Sequence, residues 1–411
     1  MPSRWVWPRR AVAMGCAVAL AGLAGCGGGG TRPGDASAAV RAVLDQRAQA
    51  VLHRDAAAFL ATVDPTATGF RDAQRQVFAN LTELPIGSWS YRLQRTGAFP
   101  LSTESDADRR VAAQVELDYA LRGYDTAPVS SVAYLTLTER GGRWYVAGQT
   151  DGEPAGRHTT VQPWDQGRTT VVRGRRSLVL GQGDARQLTA YADLADAAVP
   201  VVQGAWRGDW PGRAIIEVPG SEPQMATLLG AQPSAYQGIA AVTTAEQHGN
   251  GSAPADRVIV NPQAFSGLSP VGRRVVLTHE LTHVATRTAT TSTTPLWLSE
   301  GFADWVGNTG TGQPPQQVAA ELSADVHAGR QPRQLPSDAD FGSARTGLPQ
   351  AYEGAWLACR MVAEQWGSQA LVNLYRAAGH EPTDAALHGT LGVGLDAFTA
   401  RWRAYVAKEL G

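Results

Sequence analysis

Residues 269–307 read SPVGRRVVLTHELTHVATRTATTSTTPLWLSEGFADWVG. Ser269 is a good N-cap, and Pro270 suits the first helical position, where a missing N–H costs nothing. The pattern predicts a helix from here to about Arg287. Inside it stands His279-Glu280-Leu281-Thr282-His283. Histidines at i and i+4 share one helix face. A pair so placed can bind one Zn²⁺. Glu280 lies beside them, free to act as a base toward water that the metal activates. The bland alternative is a polar surface helix with two solvated histidines.

A catalytic zinc needs a third protein ligand and one open position. After a Thr-rich loop, PLWLSEGFADW (residues 295–305) reads as a second helix. Glu300 on it is the candidate third metal ligand. Asp304, one turn on and on the same face, can accept a hydrogen bond from a ligand imidazole and so hold the ring in place. Two carboxylates on so apolar a helix are unfavourable unless they are paired or bind metal. Gly301 leaves room for close helix approach or for substrate.

At His279, Glu280, His283, Glu300 and Asp304 the chain resembles the gluzincin clan of zinc metallopeptidases. That clan joins H-E-x-x-H to a glutamate on a following helix, often with an aspartate one turn later. The other main clan continues with a glycine three residues past the second histidine, where this chain has Thr286. The resemblance implies strands before the zinc helix, helices after it, and a cleft between the two halves. An edge strand there can bind extended substrate by backbone pairing. Ile239 to Thr244 is the candidate edge strand. It also implies a Tyr or His donor near the scissile carbonyl, stabilising the oxyanion. By order along the chain Tyr352 is the best-placed donor, with a ring packed in a helix interface as the alternative. Aminopeptidases of the clan carry an upstream Gly-x-Met-Glu-Asn segment, which residues 242–246 (VTTAE) do not match. Endopeptidase activity, or an open specificity, is then the expectation.

The N-terminus carries a targeting segment, residues 1–26. Arg4, Arg9 and Arg10 precede a short apolar run, Ala11 to Leu23, too short to span a bilayer comfortably. It ends in Leu23-Ala24-Gly25-Cys26, which resembles a bacterial lipobox. In lipoproteins of that type the cysteine takes a lipid and becomes the first mature residue. Residues 27–37 read as a flexible tether. The expectation is an extracytoplasmic protein, lipid-anchored through Cys26 to the cell membrane.

Composition fits. With 43% hydrophobic and 18% charged residues and a net charge of −1, the chain is globular, and nothing suggests a nucleic-acid partner. Of the 3 cysteines, Cys16 leaves with the signal and Cys26 is lipidated. Cys359 is left alone, and no intrachain disulfide is expected. Its place in an apolar helical pattern suits a buried core thiol.

Two domains of α+β class follow. Residues 38–150 form an accessory domain. A helix from Ala38 to Leu60, stopped by Asp64-Pro65, and a second around Phe70 to Leu81 precede four strands. The last two strands pair as a hairpin across Gly141-Gly142. This order resembles the cone-shaped fold of the nuclear-transport-factor and ketosteroid-isomerase type, and no acid–base pair stands out in it. Residues 151–167 read as a linker, rich in Gly and Pro. Residues 168–411 form the zincin-like (gluzincin) domain, a small sheet and then a helical half. Its long helix from Leu188 to Trp206 is expected to be interrupted near Pro200.

The functional expectation is a membrane-anchored, extracytoplasmic zinc metallopeptidase acting on a peptide or protein substrate. The alternative is a non-enzymatic lipoprotein that binds a partner or ligand and carries a vestigial or structural zinc site. Such a site has no need of a base at Glu280.

Overall fold

The structure is a computed structural model that describes residues 33–102, 106–246, 255–342 and 345–411. The targeting segment, Cys26 and the first part of the tether lie outside the described residues. Among those described, no helix is long and apolar enough to cross a membrane. The chain divides into two compact units that change over between Arg168 and Thr169.

The first unit opens with helices α1 (Pro33–Leu52), α2 (Ala56–Ala61) and α3 (Thr68–Glu83). Strands β1 (Ile86–Thr96), β2 (Arg109–Leu121), β3 (Val129–Arg140) and β4 (Arg143–Gly148) then form an antiparallel sheet in sequence order. The β3–β4 turn places Gly141 and Gly142 at φ 55° and 76°, which only glycine adopts without strain. Val40, Val43 and Leu44 of α1 pack on Val115, Leu135 and Leu137 of the sheet.

Three expectations change here. The tether ends sooner, because α1 already begins at Pro33. The single helix from Ala38 to Leu60 is two helices. Arg54 turns left-handed, at φ 56°, and the Asp55 side chain accepts from Ala58 N–H at 2.9 Å, capping a fresh helix. Periodicity cannot see this break, because Phe59 keeps the apolar spacing across it. Nor is the stretch 151–167 a free linker. Trp164, 4% exposed, packs against Trp89 and Tyr119 with ring centroids 5.6 and 5.1 Å apart. Thr160 N–H also donates to the Val132 carbonyl at 2.9 Å. One buried indole outweighs the Gly/Pro content around it.

The second unit begins with β5 (Thr170–Arg173), β6 (Ser177–Gly181), α4 (Ala185–Trp206), β7 (Ala214–Val218) and α5 (Glu222–Leu228). β8 (Ala241–Glu246) and β9 (Ala255–Val260) complete a sheet of order β5-β6-β7-β9-β8. β6, β7 and β9 run parallel, while β5 and β8 run antiparallel at the two edges. β6 and β7 are buried at every residue, the pattern of strands covered on both faces. After β9 the described residues hold helices and loops. These are α6 (Pro262–Ser266), α7 (Pro270–Thr286), α8 (Leu296–Asn308), α9 (Pro315–Val318) and α10 (Ala320–His327). Then come α11 (Leu348–Gln365), α12 (Ser368–Ala378), α13 (Thr383–Leu391) and α14 (Leu395–Leu410).

α4 is not interrupted at Pro200. A proline there removes one helical hydrogen bond, but the helix is pinned on both sides of it. Upstream, the Asp196 carboxylate accepts from the N–H groups of Arg175 and Arg176 at 2.6 and 2.8 Å and from the Ser177 hydroxyl at 2.8 Å. Downstream, Val202 and Trp206 continue the buried face of Ala192, Ala195 and Val199.

Candidate metal centre

α7 begins as its sequence dictates. The Ser269 hydroxyl accepts from Gly272 N–H at 3.0 Å, and Pro270 takes the first helical position. Val276, Leu277, Leu281 and Ala285 bury one side of the helix in the core. Its far end is tied to the sheet, where the Arg287 guanidinium meets Asp256 at 2.8 Å. The Thr-rich loop that follows is short of apolar anchors and holds on through hydroxyls. Thr291 and Thr293 donate to the Gly379 and Ala378 carbonyls at 2.6 and 3.1 Å, among the unpaired carbonyls at the end of α12. α8 then returns against α7.

This return brings His279, His283 and Glu300 together, with one ligand atom from each within 4.8 Å of the others. The two Nε2 atoms stand 3.0 Å apart, and Glu300 Oε2 lies 3.4 Å from His279 Nε2 and 3.3 Å from His283 Nε2. Donors about 2.0–2.1 Å from one tetrahedral ion stand roughly 3.3 Å from each other, so the set fits Zn²⁺. Two imidazoles with one carboxylate is also a donor set that zinc takes when it keeps a fourth position open. Asp304 accepts from His279 Nδ1 at 2.7 Å. With the proton on Nδ1, Nε2 presents its lone pair to the cluster.

The charges require a cation. Glu280, Glu300 and Asp304 are all nearly buried and His279 is fully so. Burial opposes a charge on His279, but Asp304 and Glu300 more than offset it and hold its pKa at about 10. Burial pushes Glu280 up to about 7. Burial also disfavours the Glu300 carboxylate, yet the two histidines keep it well below the ordinary range. Asp304 is raised by burial against the pull of His279. Three nearly buried carboxyl groups around two imidazoles are stable only with positive charge among them, as protons or as metal.

Two partners of the site carried no signal in the sequence. Thr243 on β8 donates its hydroxyl to Glu280 Oε2 at 2.6 Å. Tyr375 on α12, fully buried, reaches Thr290, Thr286 and Ser299 hydroxyls at 2.7, 3.2 and 3.5 Å. It thereby ties the end of α7 to the turn that precedes Glu300. Tyr352 lies on α11 with its ring edge-on to Phe341, centroids 5.1 Å apart. It is buried there, as the helix-interface alternative expects, and lines a cavity of about 230 Å³ with Asp304, Glu353 and Trp356; His279, Glu280, His283 and Glu300 do not line that cavity.

No protein-family model matches the chain. No curated protein matches it either. Among solved structures it is similar to a point mutant of a two-domain M1 zinc metallopeptidase bound to L-arginine, at 14% identity and a TM-score of 0.33. That match covers 79% of this chain and 69% of the other. A likeness of that depth carries no weight for the site, whose own geometry stands alone.

Proposed function

We propose that this chain is a zinc metallopeptidase, lipid-anchored at the membrane through Cys26 and hydrolysing peptide bonds outside the cytoplasm. The observation that carries the enzymatic part is the convergence of three ligand atoms beside a buried carboxyl group, Glu280, that is not one of them. His279, His283 and Glu300 would hold the metal. Zinc bound there supplies Lewis acidity, polarising the scissile carbonyl and acidifying water.

The remaining steps belong to side chains. Glu280 takes a proton from the attacking water as its oxygen bonds to the carbonyl carbon. It then passes that proton to the departing amine, and the C–N bond breaks. Asp304 keeps His279 in the tautomer that ligates. Tyr352 stands as the candidate donor to the developing oxyanion by its order along the chain alone, because its cavity takes in Asp304 but none of His279, Glu280, His283 and Glu300. The accessory unit is given no chemical role.

Metal analysis of the purified mature chain tests the centre. About one zinc per chain is expected, and His283→Ala should abolish tight binding. A chain that takes up no zinc even after reconstitution would end this proposal. The anchor is tested separately. Wild type should fractionate with membranes and carry acyl groups on Cys26, and Cys26→Ser should do neither. Identical fractionation without acylation in either form would remove the lipoprotein part and leave the enzyme part standing.

A further inference from the structure

A glutamate side chain has several rotatable bonds, and a reacting group misplaced by about 1 Å can cost on the order of 10²-fold in rate. A base at Glu280 therefore needs something to hold its carboxyl. The holder comes from the sheet. Thr243 Oγ1 stands 2.6 Å from Glu280 Oε2 and 3.0 Å from the Glu280 backbone carbonyl oxygen. Thr243 is itself constrained. Its strand, β8, is registered on β9 with Thr243 opposite Val258, and Ala241 and Val242 just before it are buried. A β-branched residue also has few χ1 choices, so its hydroxyl is fixed about as well as its backbone.

We propose that Thr243 is a positioning residue for Glu280, and that the sheet sets the place of the base through this one hydroxyl. The functional part of the proposal rests on Glu280 being the base of a peptidase. A hydroxyl suits the task better than a pure donor. It donates to the carboxylate before proton transfer. Afterwards it can accept from the acid and turn its own hydrogen to the carbonyl 3.0 Å away. Thr170, on β5 at the opposite edge of the sheet, makes the control. Its hydroxyl donates to the Gly183 carbonyl at 2.8 Å.

The test uses the mature chain with Thr243→Val, Thr243→Ser and Thr170→Val, each checked for zinc content and cooperative unfolding. Thr243→Val should keep its zinc and lose roughly 10–100-fold in kcat with KM little changed. Thr243→Ser should recover most of that loss, and Thr170→Val should behave as wild type. In a Glu280→Gln background, Thr243→Val should cost nothing further, since groups that act through one another are not additive. A Thr243→Val kcat within about twofold of wild type, or a loss that persists undiminished in the Glu280→Gln background, overturns the proposal. A readout free of turnover comes from crystal structures of metal-free wild type and Thr243→Val. The Glu280 carboxyl should leave its place or spread over several rotamers in the variant, and an unmoved carboxyl is the opposing result. A carboxyl that moves in a protein that cleaves nothing would keep the positioning role and discard the peptidase.

Discussion

Glu280→Gln should retain zinc and fold normally while its peptide turnover falls by about 10²–10⁴-fold, the range for losing general acid–base catalysis. The substitution keeps the shape and removes the proton acceptor. The amide oxygen of glutamine can still accept from the Thr243 hydroxyl, which in the wild type lies 2.6 Å from the carboxyl. Stability should not suffer. Burial is the main opponent of a charge on Glu280; His279 and the Thr243 hydroxyl offset part of it, and Glu300 and Asp304 add a smaller repulsion. A neutral amide relieves that repulsion and the desolvation of a charge, so the variant should unfold at the same temperature as wild type or slightly above it.

The measurement is peptide cleavage by wild type and Glu280→Gln side by side, with zinc content determined for both. Equal cleavage would mean that the base lies elsewhere. A zinc-loaded wild type that cleaves nothing across a broad peptide set would favour a lipoprotein that binds a partner. Glu300→Gln provides the contrast. It replaces a charged candidate ligand, so it should weaken zinc binding itself.

The clustering of His279, His283 and Glu300 was legible because their spacing is local. One helix carries both histidines a turn apart, and the next carries Glu300 and Asp304 a turn apart. Periodicity places each pair on one face, and an apolar helix with two carboxylates announces that they are engaged. The contacts made across the fold were not legible. Thr243 meets Glu280 across 37 residues of chain, and Tyr375 meets Ser299 across 76. A threonine in a strand or a tyrosine in an amphipathic helix looks the same whether or not its hydroxyl has found such a partner. The overturned expectations have the same origin. Pro200 and the Gly/Pro-rich stretch 151–167 carry breaker residues, yet the Asp196 carboxylate and the Trp164 ring hold those segments in place. Arg54 carries no breaker signal at all, and the chain turns there.

Gly301 connects the packing of the fold to the metal, and Gly301→Ala should damage both. α8 lies between two neighbours. A Cβ at Gly301 would stand 2.5 Å from the Ala355 carbonyl carbon on α11, closer still to its oxygen, and 3.0 Å from Cys359 Sγ. The obstruction is helix backbone, which cannot rotate away. On the α7 side, Gly307 meets the Val275 carbonyl oxygen at a would-be Cβ distance of 3.0 Å. α8 therefore has little freedom to retreat from α11 without pressing on α7. Overpacking of this kind typically costs about 1–3 kcal/mol. At roughly 2–4 °C per kcal/mol for a domain of this size, the midpoint of unfolding should fall by about 2–12 °C. Glu300 precedes Gly301 on the same turn, so a shift of α8 also carries its carboxylate away from Nε2 atoms that now lie 3.3 and 3.4 Å from it. Zinc affinity should drop, and with it the stabilisation that bound zinc gives the folded state. Gly204→Ala on α4 is the matched control, because a Cβ there meets nothing within 4 Å. That change should stabilise slightly, by about 0.4–1 kcal/mol, through the lost freedom of the unfolded chain. Thermal unfolding of both variants, with and without zinc, separates the two signs. A Gly301→Ala protein that melts with wild type and holds zinc as tightly would show that α8 and α11 do not approach as closely as 301 and 355 require.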